Sequence, residues 1–190
     1  MTFPESKLAH KYLDGLRGIE IGASAHNPFG LNTLNVDYRK HGPGDMWYDE
    51  QMKQCGQCAS VDVVADARYL PFSDGEFDFV LSCHSLEHIF DPISALCEWK
   101  RVATKYIFII IPHRDAAPDD AGRPVTTLSE LQDRFNAITP YDYTDTHHSV
   151  WDSVAFLELL KYLNFEIVEW QAVDDKVGNG HAYVIKLSKI

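Results

Sequence analysis

One stretch of the chain, KYIFIIIP at 105–112, most restricts the fold that this sequence can adopt. It is almost entirely β-branched or aromatic, and apolar residues do not alternate with polar ones. A run of this kind is typical of a strand that is buried on both faces of a parallel sheet. Because both faces of such a sheet are covered by helices, the stretch favours an α/β fold with three layers.

Six further segments are rich in β-forming residues and bounded by Gly, Asn or Pro, and we predict strands at 17–23, 33–38, 60–67, 77–83, 165–173 and 181–188. The link between the last two is too short for a crossover helix, so these strands are predicted to pair antiparallel. Asp37 lies only 15 positions after Gly22. That spacing leaves no room for a full helix, and the first crossover is therefore predicted to be a loop.

Three helices are predicted from their start signals. Asp91 and Pro92 form an N-cap followed by proline at the first helical position. Thr127 and Glu130 have the spacing of a capping box, and Asn164 is placed to end a third helix in the left-handed conformation. The second and third helices carry the apolar stripes Leu128, Leu131, Phe135 and Ile138, and Val154, Leu157, Leu160 and Leu163. Strands and helices that alternate in this way predict a three-layer α/β sandwich.

Composition narrows the possible partners and location. A chain of 190 residues suits a single domain at 1–190. The formal net charge is −11 and the 17 Lys and Arg residues are scattered, which disfavours binding to nucleic acid. No apolar run approaches the roughly 20 residues that span a bilayer. The N-terminal stretch lacks the apolar segment of a signal peptide, and four cysteines do not make a disulfide framework, so we expect a cytoplasmic protein.

Polar and small residues follow the predicted strands, at the sheet edge where open parallel sheets bind ligands. They are Glu20, Gly22, Ala23 and Ser24 after the first strand, Asp37 after the second, Asp66 and Ala67 after the third, Cys83 and His84 after the fourth, and His113 after the fifth. A carboxylate at Asp37 can accept both hydroxyls of a ribose. Asp66 can accept from an adenine amino group while the Ala67 N–H donates to the ring. Each acid alone could be a turn former, but together they indicate a nucleoside site.

The block VADARYLPFSDGEFDFVLSCHSLEHIFDP at 64–92 resembles the central block of class I S-adenosylmethionine-dependent methyltransferases. IEIGA resembles the first part of their glycine loop, and NVDY resembles the segment with their ribose-binding acid. The resemblance implies the sheet order 3-2-1-4-5-7-6 with the last strand reversed, and S-adenosylmethionine as cofactor. It also implies that Gly22 lies at the methionine end of the cofactor, Asp37 at the ribose, and Asp66 and Ala67 at the adenine.

The glycine loop departs from the family pattern, because Ser24 and His26 stand where further glycines are expected. Close approach of the cofactor to the backbone would then depend on Gly22, Ala23 and Ser24. A cofactor without a pyrophosphate demands less of such a loop than a dinucleotide does. We interpret the loop as functional, with the segment MWYDEQM at 46–52 as a candidate to complete the ribose side. The alternative is a structural relic that no longer binds the cofactor.

The segment 113–149 is predicted to be a lid and acceptor site, because long inserts in compact domains are usually functional. Imidazole titrates near neutrality, so His113 and His147 are the candidate general bases, with ordinary surface histidines as the alternative. His113, Asp115, Asp145, His147 and His148 could instead hold a divalent ion. Their spacing matches no zinc motif, and we expect a metal-free site whose activity survives chelation.

The sequence therefore predicts transfer of a methyl group to an oxygen or nitrogen of a small molecule, with sugars and natural products as candidate acceptors. Two other classes of function stay open: a non-catalytic cofactor-binding or scaffold protein of the same fold, and a metal-dependent hydrolase. The sequence does not fix the oligomeric state, for which a homodimer is one candidate.

Overall fold

The computed structural model describes residues 2–116, 120–141 and 146–188. The helices are α1 (Lys7–Leu13), α2 (Met46–Cys55), α3 (Pro92–Val102), α4 (Leu128–Phe135) and α5 (Ser153–Tyr162). The strands are β1 (Arg17–Ile21), β2 (Asn32–Asp37), β3 (Val63–Val64), β4 (Phe77–Cys83), β5 (Ala103–Pro112), β6 (Glu166–Gln171) and β7 (Gly180–Lys186), and a 3-10 turn occupies Leu86–His88. In the described part of the chain, no helix is long and apolar enough to cross a membrane.

The strands of the described chain form one sheet in the order β3-β2-β1-β4-β5-β7-β6. β7 runs antiparallel to both of its neighbours, and the pairings among β1 to β5 are parallel. The predicted strand order and reversed last strand are confirmed. The crossover from β1 to β2 contains no helix, as the short spacing predicted.

The sheet separates two apolar clusters, because successive residues of a strand point to opposite faces. Ile107, Ile109 and Ile111 of β5 belong to the cluster that α3, α4 and α5 cover. Phe108 and Ile110 belong to the cluster that α1 covers with Leu8, Ala9 and Leu13. The apolar run at 105–112 is thus buried on both faces, as its composition predicted.

The helix start signals are confirmed. The Asp91 carboxylate accepts from the Ser94 N–H, with Pro92 at the first turn of α3. Thr127 and Glu130 form a reciprocal capping box on α4. Asn164, after α5, has a φ of 53°, in the left-handed region.

Several predictions of detail were wrong. The third strand was predicted at 60–67 but is confined to Val63–Val64. Before it, side chains add to the backbone contacts with β2: Asn35 Nδ2 donates to the Ser60 carbonyl, and the Asp62 carboxylate accepts from the Asn35 N–H. Of the α5 stripe, Val154 is 72% exposed, whereas Leu160 is buried and Leu157 and Leu163 are partly buried against the core. The helix also buries Phe156 and Leu159. Of the α4 stripe, Leu131 is buried but Phe135 and Ile138 are exposed, since the helix ends at Phe135. Helix α1 was not predicted.

Candidate cofactor and acceptor site

The turn after β1 brings the backbone of this strand against the loop that follows β4. Gly22 has a φ of +71°, and its N–H donates to the Val36 carbonyl of β2. A Cβ at Gly22 would lie 2.5 Å from Ser85 Oγ, which itself donates to the Ile21 carbonyl at 3.0 Å. Only glycine fits this turn without strain, because the conformation is left-handed and the space is filled.

Two buried amides hold the rest of the β1 turn in place. The Ala23 N–H donates to the side-chain oxygen of Asn35 at 3.0 Å. Gln51 of α2 is fully buried, and its Oε1 accepts from the N–H groups of Ala25 and Ala59 at 2.7 and 3.0 Å. Ser24, inside this frame, is buried. The segment 46–52 therefore contacts the β1 turn, in the region where the sequence suggested that it could complete the ribose side.

Glu20 is the buried acid of β1. Burial raises its pKa to about 7, while the nearby Lys176 ammonium and a hydrogen bond with the Thr33 side chain act in the opposite direction. A carboxyl group with this pKa is partly protonated at neutral pH. Its placement within the strand makes it a supporting group beneath the turn.

We expect the folded protein to lose stability relative to Glu20→Gln as the pH rises from about 4.5 to about 7. The folded chain holds the Glu20 proton more tightly than the unfolded chain, so the stabilisation is complete below the unfolded pKa and is lost on approach to the folded pKa. The shift corresponds to about 3 kcal/mol at most. Urea unfolding of both variants from pH 4.5 to 8 measures the difference. A constant difference between the two curves would contradict a raised pKa at Glu20.

Asp37, the predicted ribose acid, ends β2 and is almost completely buried. His41 Nε2 lies 3.1 Å from its carboxylate, and His41 Nδ1 lies 3.5 Å from Asp45, the N-cap residue of α2. This chain of contacts joins the predicted ribose acid to the start of α2. Sequence reasoning missed His41, because its contact with Asp37 depends on the path of the loop after β2.

Asp66, the predicted adenine acid, carries an ion pair with Arg68. The guanidinium donates to both of its carboxylate oxygens, with Nη2 at 2.6 Å from Oδ2, and lowers the pKa of Asp66. The neighbouring Ala67 carbonyl accepts from the indole N–H of Trp99 at 3.1 Å. A carboxylate can accept several hydrogen bonds, so Asp66 retains the capacity to bind an amino group.

Cys83, also predicted to bind the cofactor, points into the core on the α1 side of the sheet. Its thiol is buried, accepts from Asn27 Nδ2 at 3.2 Å, and has a pKa raised well above its ordinary value by burial. Asn27 belongs to the loop between β1 and β2. The side chain of Cys83 therefore fixes that loop to the end of β4.

The loop between β6 and β7 closes over the same edge of the sheet. The Asp174 carboxylate is 3% exposed and accepts from the N–H groups of Lys176, Val177, Gly178 and Gly180. The Lys176 ammonium donates to the Pro28 carbonyl and lies 4.7 Å from the centre of the Phe29 ring. This loop places Asn179 beside His84.

His84 follows β4 with a φ of 51°, uncommon for a non-glycine residue. Its imidazole is largely buried, which lowers its pKa to about 4, and its Nε2 has no hydrogen-bond partner. Strained residues at the end of a sheet are candidates for function. The sequence placed His84 at a strand end but assigned it no role, because nothing in a sequence shows which way a side chain faces.

The two predicted bases, His113 and His147, have different neighbours. His147 Nδ1 lies 3.0 Å from Asp120, and its ring is 4.6 Å from that of His88. The His113 ring is 5.0 Å from that of His181, beside a cleft of about 480 Å³ between the end of β5 and the β6–β7 loop. Asp145, part of the metal set suggested by the sequence, lies outside the described residues.

Residues 45–110 match a family profile described as a methyltransferase domain. This part of the chain is similar to methyltransferase domains. The matched stretch runs from the cap of α2 into β5 and includes Asp66, Ala67 and Cys83. The description of this profile agrees with the family that the sequence resembles, whose expected cofactor is S-adenosylmethionine.

Individual proteins resemble this chain either in sequence over a short stretch or in structure over most of its length. Over 60 residues the chain is 43% identical to ajmaline N-methyltransferase of Rauvolfia serpentina, an alignment that covers 30% of this chain and 21% of the relative. A Methanosarcina mazei structure described as a S-adenosylmethionine-dependent methyltransferase superposes with a TM-score of 0.57 and 16% identity, covering 95% and 97% of the two chains. A Thermotoga maritima structure, described as a possible histamine N-methyltransferase, superposes with a TM-score of 0.54 and 18% identity, covering 93% of this chain and 84% of the other. The structural likenesses show a shared fold.

Proposed function

We propose that this protein is a methyltransferase that binds S-adenosylmethionine at the carboxyl ends of β1 to β4 and transfers its methyl group to an oxygen or nitrogen of a small molecule. One observation carries the proposal: the turn at Gly22 leaves no space for a side chain, and the carboxylates of Asp37 and Asp66 lie after the next two strands of the same edge.

The residues present are chemically suited to the cofactor. Gly22 would allow its methionine end to approach the backbone, Asp37 would accept from the ribose hydroxyls, and Asp66 and Ala67 would bind the adenine. His41 already contacts the Asp37 carboxylate, so it would keep this acid oriented. When bound, the cofactor supplies a sulfonium carbon that a nucleophile can attack.

The acceptor atom would gain the methyl group, and the cofactor sulfur would keep the electron pair of the carbon–sulfur bond. The acceptor also loses a proton, for which a neutral imidazole is a suitable base. His113 and His147 remain predictions for this role. We assign the acceptor to the region around His84 and Asn179, between these two histidines, with segment 113–149 as its lid. The partial likeness to an N-methyltransferase supports an acceptor of this kind.

Calorimetry on the full chain is expected to show that S-adenosylmethionine and S-adenosylhomocysteine bind with micromolar Kd, which corresponds to a binding free energy of roughly −8 kcal/mol. Asp37→Ala and Asp66→Ala should each weaken binding by about tenfold or more, since each leaves polar groups of the cofactor unpaired. Asp74→Ala, which removes an exposed carboxylate on another loop, is the matched control and should leave the affinity unchanged.

The same experiment separates the proposal from its alternatives. Absence of binding at millimolar cofactor would overturn the methyltransferase assignment. Binding without release of S-adenosylhomocysteine, over a panel of amines, phenols and sugars, would favour a non-catalytic cofactor-binding protein. Turnover of a substrate without the cofactor would identify a hydrolase, a class to which none of the relatives described above belongs.

A further inference from the structure

Three side chains after β4 and before α5 converge in a way that the methyl transfer does not require. Glu87, His88 and His147 each place one potential ligand atom within 4.8 Å of the other two. Glu87 and His88 come from the 3-10 turn after β4, and His147 comes from the far end of segment 113–149. Residues distant in sequence are therefore brought together at one point.

Both histidines are already oriented as metal-bound histidines usually are. His88 Nδ1 lies 2.7 Å from the Thr146 carbonyl oxygen, and His147 Nδ1 lies 3.0 Å from the Asp120 carboxylate. Asp120 is buried and is itself fixed by an ion pair with Arg123. An oxygen on one ring nitrogen fixes the tautomer and directs the other nitrogen, Nε2, to a metal.

The carboxylate of the cluster supplies an independent observation. Glu87 is 1% exposed, and its Oε2 is buried without a hydrogen-bond partner. His84 Nδ1 and His88 Nε2 lie 3.7 and 3.9 Å from its other oxygen. A buried carboxylate oxygen without a partner is costly, and a bound cation would compensate that cost.

We propose that Glu87, His88 and His147 form a binding site for a divalent transition metal of the zinc class. Two imidazoles and one carboxylate are the protein ligands of open zinc sites, which keep a further position for water or substrate. Ligand bonds of about 2.0 to 2.2 Å require the three atoms to move closer together than they lie here. His88 is half-exposed and provides the route of entry.

This assignment changes two expectations drawn from the sequence. The sequence favoured a metal-free site, and its alternative metal set of His113, Asp115, Asp145, His147 and His148 shares only His147 with this cluster. Glu87 and His88 were missed as ligands. It also gave His147 the role of a base, which a metal ligand does not perform. The metal site stands independently of the proposed methyl transfer, because it is tested with the metal alone.

The test uses the full chain, stripped with chelator and then titrated with Zn²⁺ in a calorimeter and with Co²⁺ in a visible spectrophotometer. We expect one equivalent of Zn²⁺ to bind with a Kd of about 1 μM or lower, and Co²⁺ to give the d–d absorption of a site with nitrogen ligands. Glu87→Gln and His88→Gln should abolish this binding. Asp120→Asn should weaken it by about 10- to 100-fold, because it removes the group that orients His147.

His113→Ala is the matched control, since it removes a histidine from the other histidine pair and should leave the Zn²⁺ affinity unchanged. Circular dichroism checks that each variant is folded. The half-exposed position of His88 keeps its variant informative even where Glu87→Gln reduces stability. The proposal is overturned if the wild-type chain binds no Zn²⁺ more tightly than His88→Gln does, or if His113→Ala removes the binding.

Discussion

Replacing Gly22 by alanine is expected to weaken S-adenosylmethionine binding by at least tenfold and to lower the free energy of unfolding by about 2 kcal/mol or more. Two costs combine at this position. A left-handed backbone costs a residue with a Cβ roughly 1–2 kcal/mol, and the new Cβ would lie 2.5 Å from Ser85 Oγ. Either the β1 turn or the loop after β4 must therefore move, and both belong to the proposed cofactor site.

The chain offers a matched control for the strain of the left-handed backbone. Gly15 has a φ of +74°, and nothing lies within 4 Å of a Cβ built there. Gly15→Ala should cost stability through strain alone and leave cofactor affinity unchanged. Adding Ser85→Gly to Gly22→Ala should recover the part of the lost stability that comes from the clash with the Ser85 side chain. Cofactor affinity equal to wild type in Gly22→Ala would show that the β1 turn does not bind S-adenosylmethionine.

The sheet could be predicted from the sequence because its signals are local. The apolar run at 105–112 and the short spacing between Gly22 and Asp37 each follow from one segment of chain. Their consequences, a doubly covered β5 and a first crossover without a helix, are both observed. The strand order followed from the resemblance and not from any local pattern.

The partners of the site residues could not be predicted, because they come from distant segments or from side-chain direction. Asp37 is held by His41, and the Cys83 thiol accepts from Asn27. Glu87 lies in the block at 64–92 that resembles methyltransferases. Its burial beside His147, however, depends on how residues 146–148 pack against the turn after β4. A sequence gives the identity of such groups and not their juxtaposition.

The second large effect is expected at Asp174. Asp174→Ala should lower the free energy of unfolding by about 3 kcal/mol or more, since hydrogen bonds to a charged group are strong and their loss leaves buried N–H groups unpaired. The N–H groups of Lys176 and Gly180 are the most affected, because both residues are buried. Urea unfolding measures the change, and a loss of this size is a large fraction of the stability of a single domain.

Asp174→Ala should also disturb the acceptor region. The β6–β7 loop places Asn179 beside His84 and lets the Lys176 ammonium donate to the Pro28 carbonyl. Asp174→Asn, which keeps one acceptor oxygen, should lose less stability than Asp174→Ala. Asp14→Ala removes an exposed carboxylate paired with His10 and should change stability by less than about 0.5 kcal/mol. If Asp174→Ala proves as stable as Asp14→Ala, the backbone of this loop is held by other contacts, and the loop cannot be the element that positions Asn179.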